Sequence, residues 1–99
     1  MEPVIVKVLD ISTAHMSEQD SEKLNRCNKG SVINYGYLEG NFVYLGDPSD
    51  VDDTERVWTE AGYSMAFIMA CRKARESGCK YAQFDRDGTV YDDLERFDW

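Results

Sequence analysis

Val32-Ile33-Asn34-Tyr35-Gly36-Tyr37-Leu38-Glu39-Gly40-Asn41-Phe42-Val43-Tyr44-Leu45 holds two runs of β-branched and aromatic residues on either side of Glu39-Gly40. Such runs read as strands, and the Glu-Gly pair between them reads as the tight turn of an antiparallel hairpin. Alternation puts Tyr35 and Tyr37 on one face and Asn34 and Gly36 on the other. Upstream, Val4-Ile5-Val6-Lys7-Val8-Leu9 is apolar on both faces and predicts a central, buried strand. Ser17-Glu18-Gln19-Asp20 predicts a helix start, with Ser17 as N-cap and Asp20 reaching back where a capping box usually carries Glu. Leu24 and Cys27 share one side of that helix, and Asn28-Lys29-Gly30 is its predicted stop.

Downstream, Gly46-Asp47-Pro48-Ser49-Asp50 reads as loop. Asp52-Asp53-Thr54-Glu55 places acids where they complement a helix dipole. The helix is predicted from about Asp53 to Ser77, with one stripe of Val57, Ala61, Met65 and Ile68 and a second of Phe67, Cys71 and Ala74. Gly62, costing about 1 kcal/mol relative to Ala, marks where it kinks or splits. Arg72, Lys73 and Arg75 suit its last turns, Ser77-Gly78 its end, and Lys80 to Phe84 a final strand. The expected fold is therefore α+β, in one domain spanning 1–99: a four-stranded sheet with two helices in βαββαβ order. That order suits a ferredoxin-like fold, with a small three-layer sheet of different strand order as the alternative.

Composition limits the function. Nineteen acids against eleven bases leave a net charge of −8. Phosphate binding needs clustered Lys and Arg, so direct binding of DNA, RNA or an anionic membrane is not expected. A basic protein surface is the better partner. No apolar run approaches the ~20 residues of a membrane span, and no signal peptide is visible. Cys27, Cys71 and Cys79 form no Cys-x-x-Cys pair and read as reduced thiols of a cytoplasmic protein, Cys71 being core packing. No cofactor is expected.

Two sets of residues carry the letters of chemistry. Asp85-Arg86-Asp87-Gly88-Thr89-Val90 resembles the nucleophile motif of the haloacid-dehalogenase phosphatases. The resemblance implies Asp85 as nucleophile, Asp87 as acid/base, and Mg²⁺ between them. In that family the motif opens a long Rossmann-like domain, whereas nine residues follow Val90. The same letters spell a strand ending in an Asp-Gly turn. A carboxylate metal site would draw on Asp10, Asp85 and Asp87, with Asp92 and Asp93 as further oxygen donors. Counted from Asp85, however, position six of a calcium loop is Val90 where Gly is needed. In a ferredoxin-like sheet the first and last strands run antiparallel, so Asp10 and Asp85 converge only if those strands are parallel. The second set is Ser12, Thr13 and His15 at the first strand-to-helix junction, where the hydroxyls are expected to cap backbone groups. Cys27 and Cys79 have no identifiable base. Neither catalytic nor metal-ligating residues are assigned.

The surface is more informative. Tyr35, Tyr37, Phe42 and Tyr44 give the hairpin an aromatic face like an RNA-recognition platform, without the basic residues such a platform needs. Tyr-rich faces also anchor protein interfaces. Residues 47–60 carry six acids against Arg56, and residues 85–98 six against Arg86 and Arg96. Carboxylates spaced along a small rigid body imitate nucleic-acid phosphates. The expected function is a non-enzymatic acidic protein-binding module, contacting its partner through Asp50, Asp52, Asp53 and Glu55, with Tyr35 and Tyr37 as anchors. The rival is a small Mg-dependent hydrolase or phosphotransfer protein using Asp10, Asp85 and Asp87. A homo-oligomeric structural component is a third reading.

Val8-Leu9-Asp10-Ile11-Ser12-Thr13-Ala14-His15 near the start, and Phe84-Asp85-Arg86-Asp87-Gly88 with Leu94 and Phe97-Asp98-Trp99 at the end, resemble a group of uncharacterised bacterial domains found also on plasmids and phages. The group has no assigned activity, so the resemblance transfers no catalytic residue. Its setting implies antagonism of host defence, as an anti-CRISPR or anti-restriction inhibitor acting as a DNA mimic. It also implies that Trp99 docks on the body, so that removing the last three residues costs several kcal/mol.

Overall fold

The computed structural model describes residues 2–26 and 32–99. The predicted stop at Asn28-Lys29-Gly30, and Cys27, lie outside them. The elements run β1 (Val8–Ser12), α1 (Glu18–Arg26), β2 (Asn34–Tyr37), β3 (Gly40–Tyr44), α2 (Val51–Glu60), α3 (Met65–Glu76) and β4 (Tyr81–Asp85). Single 3₁₀ turns, Thr13–His15 and Pro48–Asp50, lead into α1 and α2. No helix among the described residues is long and apolar enough to cross a membrane.

The hairpin forms as β2 against β3, with Tyr37 opposite Gly40 and Leu38-Glu39 as the connecting pair. Gly40 is thus not in the turn but opens β3. There it faces Asp85 of β4, and a Cβ would run into the Phe84 carbonyl oxygen. Glycine is required by close backbone approach rather than by turn geometry.

The sheet order is β1-β4-β3-β2, with β1 parallel to β4 and the other pairs antiparallel. The βαββαβ sequence of the sheet's strands and crossovers is therefore realised, but the antiparallel first and last strands of a ferredoxin-like sheet are not. The predicted central strand is also displaced. β1 is an edge strand starting at Val8, while Val4, Ile5 and Val6 are 89%, 82% and 47% exposed. The parallel register explains this. Lys80 N–H reaches the Lys7 carbonyl (2.9 Å), and the next partners in line would be Ser77 to Cys79, which turn out of α3. No strand is there to pair with Val4 to Val6.

The long predicted helix is split. Gly62 takes φ +95°, and α3 restarts at the Ser64 cap, whose Oγ accepts from Phe67 N–H (3.1 Å). Because of the break, the first predicted stripe divides, with Ile68 joining the second. Phe67, Ile68, Cys71 and Ala74 are buried on the sheet, whereas Val57 and Met65 are exposed. Gly78, at φ +81°, closes α3. The core lies between one face of the sheet (Ile11, Val43, Ala82, Phe84) and α3, closed by Trp58 of α2 and Leu24 of α1. Phe67 is its centre, stacked on Tyr63 (4.7 Å) and Phe84 (5.4 Å) and edge-on to Trp58 (5.5 Å). Burial pushes the Cys71 thiol well above its ordinary pKa and the Tyr63 phenol up to about 12, as expected of packing groups rather than reactive ones.

Asp20 locks the helices together. Its Oδ2 accepts from Ser17 N–H (2.9 Å) while Ser17 Oγ accepts from Asp20 N–H (3.1 Å), the predicted reciprocal cap. The same carboxylate accepts from Ser64 N–H (2.9 Å) and Ser64 Oγ–H (2.5 Å), so one buried side chain holds the starts of both α1 and α3.

The C-terminal segment docks as expected, but less deeply. Leu94 enters the core, Phe97 N–H donates to the Ala14 carbonyl (2.7 Å), and the Trp99 indole N–H donates to the Met16 carbonyl (3.0 Å). Trp99 is still 52% exposed, so burial contributes less than a fully covered indole would. Deleting residues 97–99 is expected to lower stability by about 2 kcal/mol, mainly through the two lost hydrogen bonds and partial aromatic burial. A thermal melt identical to that of the full chain would contradict this docking.

Candidate protein-binding surface

Alternation along paired strands assigns every sheet residue to a face. On the face away from the helices, register sets Val8, Tyr81 and Tyr44 in one row. Asp10, Gln83, Phe42 and Tyr35 form the next, and Ser12, Asp85, Gly40 and Tyr37 the third. None of these residues belongs to the core, and no helix covers this face among the described residues. Tyr37 lies against Phe42 (5.3 Å) and Tyr44 against Tyr81 (5.7 Å), while Tyr35 is 58% exposed. Tyr35 and Tyr37 do share this face, and Phe42, Tyr44 and Tyr81 join them. The reach of the platform to β4 was not legible, because the sequence does not show which strand lies beside β3.

The start of α2 and the end of β3 share an open groove. Tyr44 and Ile33 line this groove of about 360 Å³ together with Gly46, Asp50, Asp53 and Trp58. Tyr44 therefore belongs both to the aromatic face and to the acidic groove. Asp50 and Asp52 are exposed, and Asp53 makes only a long, exposed contact with Arg56 (3.4 Å). Glu55 differs. It takes a bidentate contact from Arg72 (2.6 and 3.1 Å), so much of its charge is offset internally. Behind the Gly46 wall lies the Arg75 guanidinium, its nitrogens buried with no hydrogen-bond partner among the described residues.

Parallel pairing of β1 and β4 puts Asp10 and Asp85 on one face of adjacent strands, Asp10 beside Gln83. Both are engaged by neutral donors. Asp10 Oδ2 accepts from Thr89 N–H (3.1 Å) and Thr89 Oγ–H (2.8 Å). Asp85 accepts from the Tyr37 hydroxyl (2.6 Å) and from Asp87 N–H (2.7 Å), and these bonds hold its carboxyl below the usual range. The Tyr37 phenol is raised, first by burial and then by its bond to Asp85. The Asp85-to-Gly88 segment is thus the strand-ending turn that the Asp-Gly letters predict. No three His, Cys, Asp or Glu side chains among the described residues converge as a metal site.

His15 is fully buried. Its Nε2 faces Tyr91 N–H (2.8 Å) and must be the acceptor, so Nδ1 carries the proton and donates to the Glu95 carbonyl (2.7 Å). Both nitrogens of a neutral imidazole are occupied in bracing the C-terminal segment. Ser12 Oγ accepts from Ala14 N–H (3.1 Å), the expected cap. The sequence signal for this brace was only a lone His, because Tyr91 and Glu95 act through their backbones.

No curated protein and no solved structure matches the chain. A match to a family profile starts at Val8, the first residue of β1, leaving out the exposed Val4-Ile5-Val6 segment. Residues 8–99 match the C-terminal domain of the family of unknown function DUF5983, and the chain belongs to that family.

Proposed function

We propose that the domain is a non-enzymatic protein-binding module that offers carboxylates and aromatic rings to a basic protein surface. The observation that carries this reading is Tyr44, a residue of the aromatic face that also lines the groove of Asp50 and Asp53. Rings supply contact area at low entropic cost, and surrounding charge steers a basic partner to them. From Tyr81 to Asp85 the face spans roughly 13 Å at strand rise. Negative groups thus stand at both ends: Asp50 and Asp53 near Tyr44, and Asp85 at the far end. Such spacing on a −8 domain favours a partner that ordinarily holds nucleic-acid phosphates, and inhibition of a defence complex by nucleic-acid mimicry is the specific form of the proposal.

Asp50→Lys combined with Asp52→Lys tests it. These side chains are exposed, so the fold should tolerate the change. Immobilised wild-type domain is expected to retain basic proteins from a bacterial lysate at low salt, and the double variant to bind them about tenfold more weakly with a flatter salt dependence. Release of the retained protein by added duplex DNA supports mimicry. Equal, salt-insensitive capture by both forms would remove the acidic-surface reading. The rival metal-dependent hydrolase draws on Asp10 and Asp85 lying on one face of neighbouring strands, two positions apart in register. Calorimetric titration with Mg²⁺, with heat abolished by Asp85→Asn, would favour it.

A further inference from the structure

The uncovered sheet face has a chemistry more selective than negative charge alone. We propose that it is a platform for an arginine-bearing segment of a basic partner protein, with guanidinium groups stacked on Tyr35, Phe42 and Tyr44 and paired to Asp10 and Asp85. This inference rests on the protein-binding reading above and names the chemistry of the partner.

Four observations on one surface lead to it. First, five aromatic rings lie on the face, and Tyr35 is largely bare. Second, Asp10 and Asp85 are fixed there without a bonded counterion, Arg86 reaching Asp85 only through space. Every bond that holds them comes from a hydroxyl or a backbone N–H, and neither joins an ion pair among the described residues. A carboxylate held in place without a counterion is a preformed half of an ion pair, and its side-chain ordering cost is already met. Third, the face accepts cations over its rings, since the Lys80 ammonium stands over Tyr81 at 5.9 Å. Fourth, Gln83 sits between Phe42 and Asp10 and donates to the Tyr37 hydroxyl (2.9 Å), so the polar groups of the face are held in register with its rings.

Arginine matches this combination better than lysine. Its guanidinium is flat and weakly hydrated, so it can stack on a ring while its edge meets a carboxylate in two hydrogen bonds. A lysine ammonium is a hydrated point charge that gains little from a ring face. A second copy of the chain fits poorly, because two such faces would crowd the carboxylates of both copies into one interface with no Arg or Lys among the paired strand residues of the face. A nucleic-acid strand would stack on the rings but bring phosphates to the same carboxylates.

The test uses the full chain, isotope-labelled, titrated with an arginine nonapeptide and a lysine nonapeptide of equal charge. The arginine peptide is expected to bind about tenfold more tightly, at the scale of a desolvated cation–π contact, and to shift the amides of Asp10, Tyr35, Phe42 and Gln83. Tyr35→Ala should abolish the preference for arginine, and Tyr35→Phe should keep it. Tyr35 is exposed enough that the fold should survive either change. Equal affinity for the two peptides, with shifts confined to Asp50, Asp52 and Asp53, would overturn the platform while leaving the acidic module intact. No binding of either peptide would overturn both. Shifts on the face that follow protein concentration alone, or that a single-stranded oligonucleotide produces, would assign the surface to a second copy or to nucleic acid instead.

Discussion

Replacing Phe67 by alanine is expected to cost 3–5 kcal/mol, roughly what deletion of a buried aromatic ring costs in other cores. For a domain of this size that is a fall in melting temperature on the order of 15–25 °C. The ring is fully buried and touches three others: Tyr63 and Phe84 face to face, Trp58 edge-on. It is also the point where α3 meets β4, so its removal leaves a cavity that neither a rigid helix nor a doubly paired strand can collapse to fill. Phe67→Leu keeps most of the volume and should cost well under half as much. Trp58 emission reports the same event, because the indole packs directly on the deleted ring. A melt of Phe67→Ala within a few degrees of wild type would show that the aromatic stack is not the centre of the core.

Asp20→Ala carries the second largest expected effect, about 3 kcal/mol. Three donors lose their acceptor at once: Ser17 N–H, Ser64 N–H and Ser64 Oγ–H. Two of these are orphan backbone groups at helix starts, and buried donors left unpaired cost more than the bonds themselves contributed. Ser17→Ala, which removes one arm of the α1 cap, should cost only about 1 kcal/mol. The comparison in urea separates the two roles of Asp20. If the Asp20 and Ser17 variants shift the midpoint equally, the carboxylate is an ordinary cap and the link to α3 contributes nothing. A double-mutant cycle of Asp20 with Ser64 should return a coupling of more than about 1 kcal/mol, because the residues share two hydrogen bonds.

Asp20 also shows where local sequence information ends. The Ser17-Asp20 spacing announced a reciprocal cap, since both partners lie within one turn. Nothing in that spacing pointed 44 residues on to Ser64. The same divide runs through the candidate surface. That Tyr35 and Tyr37 share a face follows from the two-residue period of a strand. That Tyr81 and Asp85 lie on that same face depends on β4 being placed between β1 and β3, and the sequence contains no local mark of strand order. Sequence position groups Glu55 with its acidic neighbours, and only the packing of α3 against α2 brings Arg72 to it. Val4 to Leu9 misled for a related reason. A β-branched run states that a segment will extend if given a partner, but the partner strand stops at Tyr81, opposite Val8.

By itself the sequence determined the elements and the charge: a hairpin from β-branched and aromatic alternation, helix ends from Ser17, Gly62 and Gly78, a membership in an uncharacterised family readable at both ends of the chain, and a surplus of carboxylates. These depend on neighbours within a turn or two, where backbone geometry acts directly. Only the tertiary structure decided that β1 and β4 run parallel, that His15 is spent as a neutral brace, and that the aromatic side of the sheet faces away from the core. Those outcomes depend on which distant surfaces bury each other best, an energy shared across the whole core and written at no single position.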